Sequence, residues 1–384
     1  MKKILFMHGG GPTAVINASL AGSLMELKDR GIKEGIVAAR FGTGGLLKKD
    51  VFDIPPLSDE ELYRLSRTPG SAIGTGRDHL EPEDYDKLVD NLEELGVGYV
   101  VMTGGNGTMD TAKKLSKVCE KRGIIVTGTP KTMDNDLSLT DHAPGFPSAA
   151  RYLAGSVREA IQDVRSLPIH IVVIEAFGRD SGWITASSAL AYTEEYGGPD
   201  MILPPEVPFD EEAFLKRAEE LYRKKGGVVV VASEGLRYQN GEPIVKPVFQ
   251  VGRSTYFGDV SSHLSLLVTK ELGIKSRSEK PGILGRASIM WQSEIDRKEA
   301  IEAGRCSIVS ALEGRNGYMS IIERISNESY SSRTIATPIS DEILEARVLP
   351  KEYIDTDSFG ISDLFLEYAK PLIGSELGEF KSFI

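Results

Sequence analysis

The feature that most constrains the fold is the regular alternation of short apolar runs with longer amphipathic stretches. The short runs are rich in β-branched residues and bounded by glycine or charged residues, which is typical of buried strands. They are Lys3–Met7, Gly35–Ala39, Gly98–Met102, Ile124–Thr127, His170–Ile174 and Gly227–Ala232. The longer stretches, which predict helices, are Asp59–Leu65, Pro82–Leu95, Thr108–Arg122, Ser148–Val164, Asp210–Lys225 and Glu294–Glu313. This alternation indicates an α/β fold with mostly parallel sheets and helices on both faces.

The same pattern indicates where a ligand would bind and where domains would divide. Ligands of parallel sheets bind beyond the carboxyl ends of the strands, so the loops that follow strands are the candidate site. At about 150 residues a domain, a chain of 384 residues predicts about two to three domains. The alternation breaks near Asp136–Gly145 and again near Lys246–Ser254.

Charge and composition exclude several classes of protein. Lys and Arg total 45 against 56 Asp and Glu, a net charge of −11, whereas a nucleic-acid-binding protein usually has a basic face. The two cysteines, Cys119 and Cys306, predict neither a disulfide framework nor a zinc site. No apolar run reaches the roughly 18 residues of a membrane span, and the first residues do not resemble a signal peptide. We therefore expect a cytoplasmic protein with no nucleic-acid or membrane partner.

Two glycine-rich loops that follow predicted strands have the composition of phosphate sites. Gly9–Thr13 follows the first strand and precedes a helical pattern from about Ala14, and Gly104–Thr108 opens a helix directly. Glycine lets the backbone approach an anion, and a helix N-terminus offers free N–H groups. The residues expected to contact the anion are Gly10, Gly11, Asn106, Gly107 and Thr108. A dinucleotide-binding dehydrogenase is disfavoured, because neither loop reads GxGxxG and no acid ends the second strand.

The segment Pro130–Asp136 (PKTMDND) holds the groups that phosphoryl transfer to a hydroxyl requires. This chemistry needs a carboxylate that takes the hydroxyl proton, a cation beside the phosphoryl oxygens and a metal ion. Asp134 is the candidate base and Lys131 the candidate cation. Asp136 would position the acceptor or help to hold Mg²⁺. On an extended segment the two carboxylates would point the same way, although such a triplet alone is more often a turn or a helix cap.

Seven motifs, taken in their order along the chain, resemble the phosphofructokinase family over nearly the whole length. They are Gly9–Asn17 (GGGPTAVIN), Gly74–Arg77 (GTGR), Gly104–Thr108 (GGNGT), Pro130–Asp136, Pro144–Ala150 (PGFPSAA), Gly178–Trp183 (GRDSGW) and Ser233–Gly235 (SEG). The resemblance implies two similar Rossmann-like three-layer domains, interleaved in sequence, with the site in the cleft. The implied donor-phosphate domain comprises 1–138 plus about 250–305, and the implied sugar domain 139–249 plus about 306–384. It also implies a homodimer or homotetramer whose sites are shared between subunits.

By the same resemblance, single residues take on roles in catalysis and donor binding. Asp134 matches the catalytic base, and Lys131 and Arg179 would balance the charge of the transferring phosphoryl group. Asp134 and Asp136 would hold Mg²⁺. Arg77 would join the two glycine loops in binding the donor.

A further set of residues would bind the acceptor. It comprises Thr132, Asp136, Phe177, Gly178, Glu234, Arg277, Arg286 and His170. Glu234 would accept hydrogen bonds from sugar hydroxyls. Arg277 and Arg286 would grip the phosphate of the sugar, and Arg277 would come from the neighbouring subunit.

Donor choice in this family depends mainly on the second glycine loop and on the PKTMDND segment. A Gly in the last loop position accompanies ATP, whereas an Asp there fills the space of the α-phosphate and accompanies pyrophosphate. Gly107 leaves room for ATP. However, Asn106 replaces the Asp of ATP users, and Lys131 and the first glycine loop resemble pyrophosphate users. Pyrophosphate is favoured, and ATP stays open.

The acceptor residues depart from the family pattern. Phe177 replaces the usual Met, His170 stands in an arginine position, and Ile283 and Gly285 replace polar residues. Each lost charge-assisted hydrogen bond to a phosphate is worth on the order of 1.5–3 kcal/mol. The favoured function is transfer to the C1 hydroxyl of fructose 6-phosphate. Another acceptor, such as an unphosphorylated sugar or myo-inositol, and a non-catalytic regulatory role are the alternatives.

Three further residues are interpreted as packing or hinge residues without a part in the chemistry. They are His8, at the end of the first strand, His142, in the stretch where the pattern breaks, and Trp183.

Overall fold

A computed structural model describes residues 2–251, 254–342 and 345–384 of the chain. The strands are Lys3–His8 (β1), Ile36–Ala39 (β2), Val51–Asp53 (β3), Val97–Gly104 (β4), Ile125–Pro130 (β5), Ile171–Ala176 (β6), Met201–Leu203 (β7), Val228–Ser233 (β8), Pro247–Val251 (β9), Ser254–Phe257 (β10), Ser276–Glu279 (β11), Tyr318–Ser326 (β12), Ser331–Pro338 (β13), Ile354–Asp355 (β14) and Gly360–Ile361 (β15). The α-helices are Ile16–Asp29 (α1), Thr43–Leu47 (α2), Asp59–Leu65 (α3), Pro82–Glu94 (α4), Asn106–Glu120 (α5), Phe146–Ser166 (α6), Trp183–Ser187 (α7), Glu211–Lys225 (α8), Val260–Leu272 (α9), Ile283–Ala287 (α10), Glu294–Leu312 (α11) and Asp363–Ala369 (α12).

The chain forms two compact units, each made of two stretches of sequence. The first comprises Met1–Ala149 and Arg286–Arg347, and the second Ala150–Gly285 and Val348–Ile384. Among the described residues, none of the helices combines the length and the apolar character that crossing a lipid bilayer requires.

The sheet of the first unit has seven strands in the order β13-β12-β5-β4-β1-β2-β3. The five inner strands run parallel, and β3 and β13 pair antiparallel at the two edges. Along β1, Leu5 and Met7 enter an apolar cluster with residues of α4 and α5, while Ile4 and Phe6 enter a second cluster with residues of α1 and α11. Because alternate side chains of a strand point to opposite faces, the unit has a helix layer on each side of its sheet.

The second unit contains a four-stranded parallel sheet in the order β11-β6-β8-β7. Val173 and Val230 pack in one apolar cluster with Phe214 of α8 and Leu264 of α9. The two central strands, β6 and β8, are fully buried, as expected for parallel strands of an α/β unit.

The structure confirms the predicted α/β class with mostly parallel sheets. Each of the six predicted strands and six predicted helices is present, with its ends within three residues of the prediction. The hairpin β12–β13 was not predicted from the sequence. Its strand β13 is only partly buried, so it lacks the apolar run by which the inner strands are recognised.

The bounds of the two units differ from those of the domains that the resemblance implied. The first unit extends to Ala149 and contains 306–347, which the implied sugar domain included. Hydrogen bonding explains this, because β12 pairs with β5 and so extends the first sheet. Conversely, residues 250–285 belong to the second unit, where β11 pairs with β6.

Helices α1 and α11 pack closely because Gly304 of α11 has no side chain at their contact. A Cβ atom on Gly304 would lie 1.9 Å from the carbonyl oxygen of Ser19. Gly304→Ala should therefore lower the free energy of unfolding by about 1–3 kcal/mol, because overpacking forces the helices apart. Urea denaturation measures the change. Exposed Glu302 on the same helix is the control, and Glu302→Ala should change stability by less than about 0.5 kcal/mol. Equal stability of the two variants would contradict the prediction.

Candidate functional site

The two glycine loops meet because the strands that lead into them are neighbours. Strands β1 and β4 pair in parallel, and the amide of Gly9 donates to the carbonyl of Thr103 at 2.8 Å. Thr108 lies between the loops. A Cβ atom on Gly9 would be 2.2 Å from Thr108 Oγ1, and one on Gly104 would be 2.1 Å from the same atom. The close approach of the loops therefore requires glycine at both positions.

A pocket of about 330 Å³ opens between these loops. Its lining includes Gly9, Gly10, Arg77, Gly107 and Thr108. Helix α5 begins beside it, with Gly105 as the N-cap residue, so the first amide groups of the helix have no partner within the helix. The positive end of the helix dipole and these free N–H groups favour an anion in the pocket. A Cβ atom on Gly107 would meet nothing within 4 Å, so this wall of the pocket is open.

Three cationic side chains converge on the first glycine loop. Lys131 Nζ donates to the carbonyl oxygen of Gly11 at 2.6 Å. A Cβ atom on Gly11 would lie 2.8 Å from Arg286 Nη1 and 3.3 Å from Arg77 Nη2. Like charges repel one another, so this cluster is costly until an anion binds.

The pKa of Lys131 reflects this environment. This pKa is lowered to about 8, mainly by burial and also by Arg286 and Arg77, while Asp134 and Asp136 oppose the shift. Burial and Arg77 also lower the pKa of Arg286, which Asp134 partly offsets. Strongly perturbed groups of one sign in a pocket are typical of a binding site for the opposite charge.

The PKTMDND segment is bent at Asn135 and is not the extended segment on which the two carboxylates would point the same way. Asn135 adopts a left-handed conformation with φ of 53°, and its Oδ1 accepts from the amide of Ala143 at 2.9 Å. Asp136 accepts from Thr132 Oγ1 at 2.9 Å and from Asn106 Nδ2 at 3.1 Å. The two acidic residues therefore do not share one face of a strand. Instead, Asp136 links this segment to the start of α5.

Two acidic residues of helix α11 bind the stretch of chain that follows the PKTMDND segment. Asp296 accepts from the amides of Gly145 and Ser148 at 2.8 and 3.0 Å. One turn further along the helix, Glu299 Oε2 lies 2.7 Å from His142 Nε2. All three ionisable side chains, His142, Asp296 and Glu299, are buried.

His142 lies between two carboxylates, Asp141 at 2.8 Å from Nδ1 and Glu299 at 2.7 Å from Nε2. Burial lowers the pKa of His142, but Glu299 and Asp141 outweigh it and raise the pKa to about 9. Burial acts to raise the pKa of Asp141, but its bonds to His142 and Arg324 outweigh this effect and lower the pKa to about 2. Asp296 has its pKa raised to about 6 by burial, although Ser148 and the amide of Gly145 oppose this. The imidazolium and its two carboxylates thus form a buried ionic network.

The carboxylates of this site fit a magnesium ion that is coordinated mainly by water and by the phosphate oxygens of a bound molecule. Among the described residues, no group of three or more His, Cys, Asp or Glu side chains is arranged to hold a metal. Mg²⁺ usually keeps several waters and is bound by one or two carboxylates together with phosphate oxygens. Asp134 and Asp136, which lie close enough to Lys131 to influence its pKa, meet that requirement.

In the second unit, the structure brings Gly178, Arg179 and Glu234 together beyond the carboxyl ends of β6 and β8. Ser233 Oγ donates to the carbonyl of Gly178 at 2.6 Å, and the amide of Glu234 donates to the carbonyl of Ala176 at 3.0 Å. Burial raises the pKa of Glu234, and the charge of Arg179 lowers it. Phe177 lies in the same loop, directly after β6. This loop pair has the carboxylate, the cation and the apolar ring that a sugar site uses.

Two other residues predicted to bind the acceptor lie near the amino end of β6. His170 directly precedes β6, and Arg277 pairs with Val172 near the amino end of that strand. The six residues of β6 span roughly 20 Å, so this pair is remote from Gly178 of the same chain. Arg286 lies with the cations of the first unit, as described above. His170 and Arg277 of the predicted phosphate clamp therefore lie at the opposite end of β6 from Gly178, and the roles of His170, Arg277 and Arg286 stay predictions.

Sequence reasoning missed two features of the first unit. His142 and His8, interpreted as packing residues, are part of an ionic network and of the pocket lining respectively. Asp296 and Glu299 were not singled out. One signal was present, because two acids three residues apart lie on one face of a helix, but their partners are about 150 residues away.

Fold and site together define an α/β protein with a glycine-rich, cationic pocket beyond the carboxyl ends of its strands. The model of the phosphofructokinase family matches residues 3–309. The chain belongs to the phosphofructokinase family, and the predicted membership is confirmed.

Individual relatives are similar over nearly the full length. The chain is 35% identical to a pyrophosphate–fructose 6-phosphate 1-phosphotransferase of Xanthomonas campestris, over 97% of this chain and 92% of the relative. It is 31% identical to a sulfofructose kinase of Alkalicoccus urumqiensis, over 92% of both chains. The crystal structure of a pyrophosphate-dependent phosphofructokinase from Nitrosospira multiformis matches with a TM-score of 0.88 and 33% identity, over 100% of this chain and 95% of the other.

The ionic network around His142 predicts a pH dependence of stability. The pKa of His142 is about 9 in the folded protein and 6.5 for an unperturbed imidazole, so its contribution is complete below about pH 6.5 and is lost as the pH rises through about 9. His142→Gln removes this contribution. The difference in unfolding free energy between wild type and variant should therefore shrink by about 2–3 kcal/mol between pH 6 and pH 10.

Urea denaturation at several pH values measures this difference. His79, whose side chain is exposed, supplies a control, because the same substitution there should change the free energy of unfolding by less than about 0.5 kcal/mol at pH 6. A constant difference for His142→Gln would contradict the assignment of a charged imidazolium.

Proposed function

We propose that the chain transfers a phosphoryl group from inorganic pyrophosphate, with Mg²⁺, to the C1 hydroxyl of fructose 6-phosphate. The observation that carries the proposal is the convergence of Lys131, Arg77 and Arg286 on Gly10 and Gly11, with Asp134 beside them. A dense cluster of cations with the carboxylate of Asp134 nearby is suited to a polyanion that must be brought close to a base. The full-length relatives whose names specify pyrophosphate and fructose 6-phosphate support the choice of donor and acceptor.

In this proposal the first unit binds and activates the donor. The N-terminus of α5 and the amides of the glycine loops contact the phosphate oxygens, and Lys131 and Arg77 neutralise their charge. Asp134 and Asp136 would hold Mg²⁺, which would supply stabilisation of the negative charge on the phosphate oxygens. Lys131 has a lowered pKa of about 8 in the unliganded protein, and a bound anion favours its cationic form.

Asp134 accepts the proton of the attacking hydroxyl, and Arg179 offsets the charge of the transferring group. Glu234 accepts hydrogen bonds from sugar hydroxyls in the second unit. A second copy of the chain supplies Arg277 and His170 to the acceptor, because these two residues lie at the opposite end of β6 from Gly178. The proposal therefore includes a homodimer or a homotetramer.

A second acceptor is favoured by one relative and by the composition of the clamp. The similar chain from Alkalicoccus urumqiensis is named a sulfofructose kinase. Here His170 replaces an arginine, and burial together with Arg277 and Lys275 lowers the pKa of His170, so this side chain is neutral near pH 7. A clamp with less positive charge suits an acidic group that carries less negative charge than a phosphate. Sulfofructose is therefore the second candidate acceptor.

A grid of initial rates tests the function. Pyrophosphate, ATP and ADP are each offered, with Mg²⁺, to fructose 6-phosphate, sulfofructose, fructose and myo-inositol. We expect the highest kcat/KM for pyrophosphate with fructose 6-phosphate. Turnover with ATP but not with pyrophosphate would contradict the proposed donor. A preference for an unphosphorylated polyol would contradict the proposed acceptor. Ligand binding without turnover in any combination would indicate a non-catalytic member.

The assignment of the base gives a mutational prediction. Asp134→Asn should lower kcat by about 10²–10⁴-fold, the usual contribution of general base catalysis, with little change in stability. Asp110→Asn is the matched control, since Asp110 lies on α5 and pairs with Lys114 at 2.6 Å. Steady-state kinetics and urea denaturation of both variants supply the data. A rate for Asp134→Asn similar to that of the control would remove the assigned base.

Gly107 gives a prediction about the donor. A Cβ atom here meets nothing within 4 Å, so Gly107→Asp places a carboxylate in open space at the start of α5 without a clash. The carboxylate should repel a nucleotide, raising the inhibition constant of ATP against pyrophosphate at least about tenfold, while kcat/KM for pyrophosphate changes less than about threefold. Gly107→Asn, of the same size without charge, is the control. An unchanged inhibition constant would show that a nucleotide does not pass this position.

A further inference from the structure

His8 occupies the last position of β1, directly before the first glycine loop, and its side chain is buried. Its Nδ1 lies 2.8 Å from Ser71 Oγ. The hydroxyl of Ser71 has one hydrogen, which it donates to the carbonyl of Gly74 at 2.8 Å. Ser71 must therefore accept a hydrogen bond from His8. It follows that the proton of the neutral imidazole is on Nδ1 and that Nε2 carries a free lone pair.

His8 Nε2 is buried and has no hydrogen-bond partner among the described residues. The same side chain lines the donor pocket together with Gly9, Gly10 and Thr108. A buried acceptor without a donor is costly, and a native structure usually explains such a group by a ligand or a function. The structure therefore supplies a proton acceptor at the wall of a pocket that is also lined by Arg77 and by the start of α5.

The chemistry of pyrophosphate gives such a group a purpose. When the bond between the bridging oxygen and the transferred phosphorus breaks, the electron pair stays on the departing phosphate, which is strongly basic and takes up a proton. A nucleoside diphosphate is a much weaker base and leaves without one. A pocket for pyrophosphate therefore gains from a proton donor beside the departing phosphate, whereas a pocket for ATP does not.

We propose that His8 is the catalytic proton carrier for the departing phosphate. In the forward direction the sugar hydroxyl attacks phosphorus, Asp134 takes the hydroxyl proton, the bond to the bridging oxygen breaks, and Nε2 delivers a proton to the phosphate that leaves. In the reverse direction Nε2 takes that proton from hydrogen phosphate as it attacks. This inference deepens the proposed function and rests on it.

The charged groups around the imidazole are compatible with this role. Burial and the charge of Lys131 lower the pKa of His8 to about 3 in the unliganded protein, which keeps Nε2 unprotonated. Arg77 and Asp78 line the same pocket. Pyrophosphate brings several negative charges next to Lys131 and so opposes its effect on the imidazole. Binding of the donor thus raises the affinity of Nε2 for a proton at the stage when one is needed.

The test compares His8→Gln and His8→Asn with wild type in both directions. Gln retains a hydrogen-bonding group near Nε2 that cannot carry a proton, and Asn retains the donor to Ser71 while removing Nε2. Both should lower kcat by about 10²-fold, a typical loss for a general acid or base. Binding of pyrophosphate without acceptor, measured by calorimetry, should change less than about threefold. His263→Gln is the matched control, because His263 also has an unpartnered Nε2 but lies on α9 in the second unit.

The pH profile separates proton transfer from a structural role. In wild type, protonated His8 is needed forward, so kcat should fall as the pH rises through its pKa in the complex. In the reverse direction the unprotonated form is needed, so kcat should fall as the pH drops through that pKa. Both falls should vanish in His8→Gln, while those due to Asp134, which have the opposite direction, remain.

Two results would overturn the role of His8: a kcat within about threefold of wild type, or a lower kcat whose pH dependence is unchanged in shape. If the wild-type protein uses pyrophosphate efficiently, either of these results rejects the role of His8 and leaves the proposed function intact. A wild type without turnover of pyrophosphate in either direction would overturn both proposals. If one variant does not fold, as judged by circular dichroism, the other decides the question.

Discussion

The arrangement of the first unit depends on two acids of one helix that hold a distant loop. Asp296 and Glu299 are buried on α11 and bind the amide of Gly145 and the imidazole of His142. Between these anchors and strand β5 the chain must turn back, and the turn carries Asp134 and Asp136. Since removing one partner of a buried ion pair leaves an uncompensated charge, this turn has few alternative conformations. The position of the predicted base is thus a consequence of packing on the far side of the loop.

Much of this could be predicted from the sequence because parallel sheets relate order along the chain to position in space. Each inner strand is short, apolar and ended by glycine or a polar residue, so the ends of β1, β4 and β5 are visible in the sequence. Their loops meet because the strands are neighbours. The glycines at positions 9 and 104 were also visible in the sequence, but the lack of room beside the Thr108 side chain, which requires them, is seen only in the structure.

Other features could not be predicted because they depend on contacts between remote parts of the chain. The left-handed conformation of Asn135 is accompanied by its bond to Ala143, and the sequence pattern alone leaves both an extended segment and a turn open there. The charge of His142 depends on Glu299, 157 residues away. The state of His8 depends on Ser71 and Gly74, which fix its tautomer. The hairpin β12–β13 lacks an apolar run, so its place in the first sheet became visible only from its pairing with β5.

The open space around Gly107 has a consequence for how such proteins diverge. An acidic residue in the first turn of a helix is favourable by about 0.3–1 kcal/mol, so changing this glycine to aspartate would not weaken the fold. Most active-site positions cannot vary without some loss of stability, whereas this one can. A lineage can therefore exchange glycine and aspartate here by a single codon change without loss of stability, so this residue is free to follow selection on the ligand of the pocket.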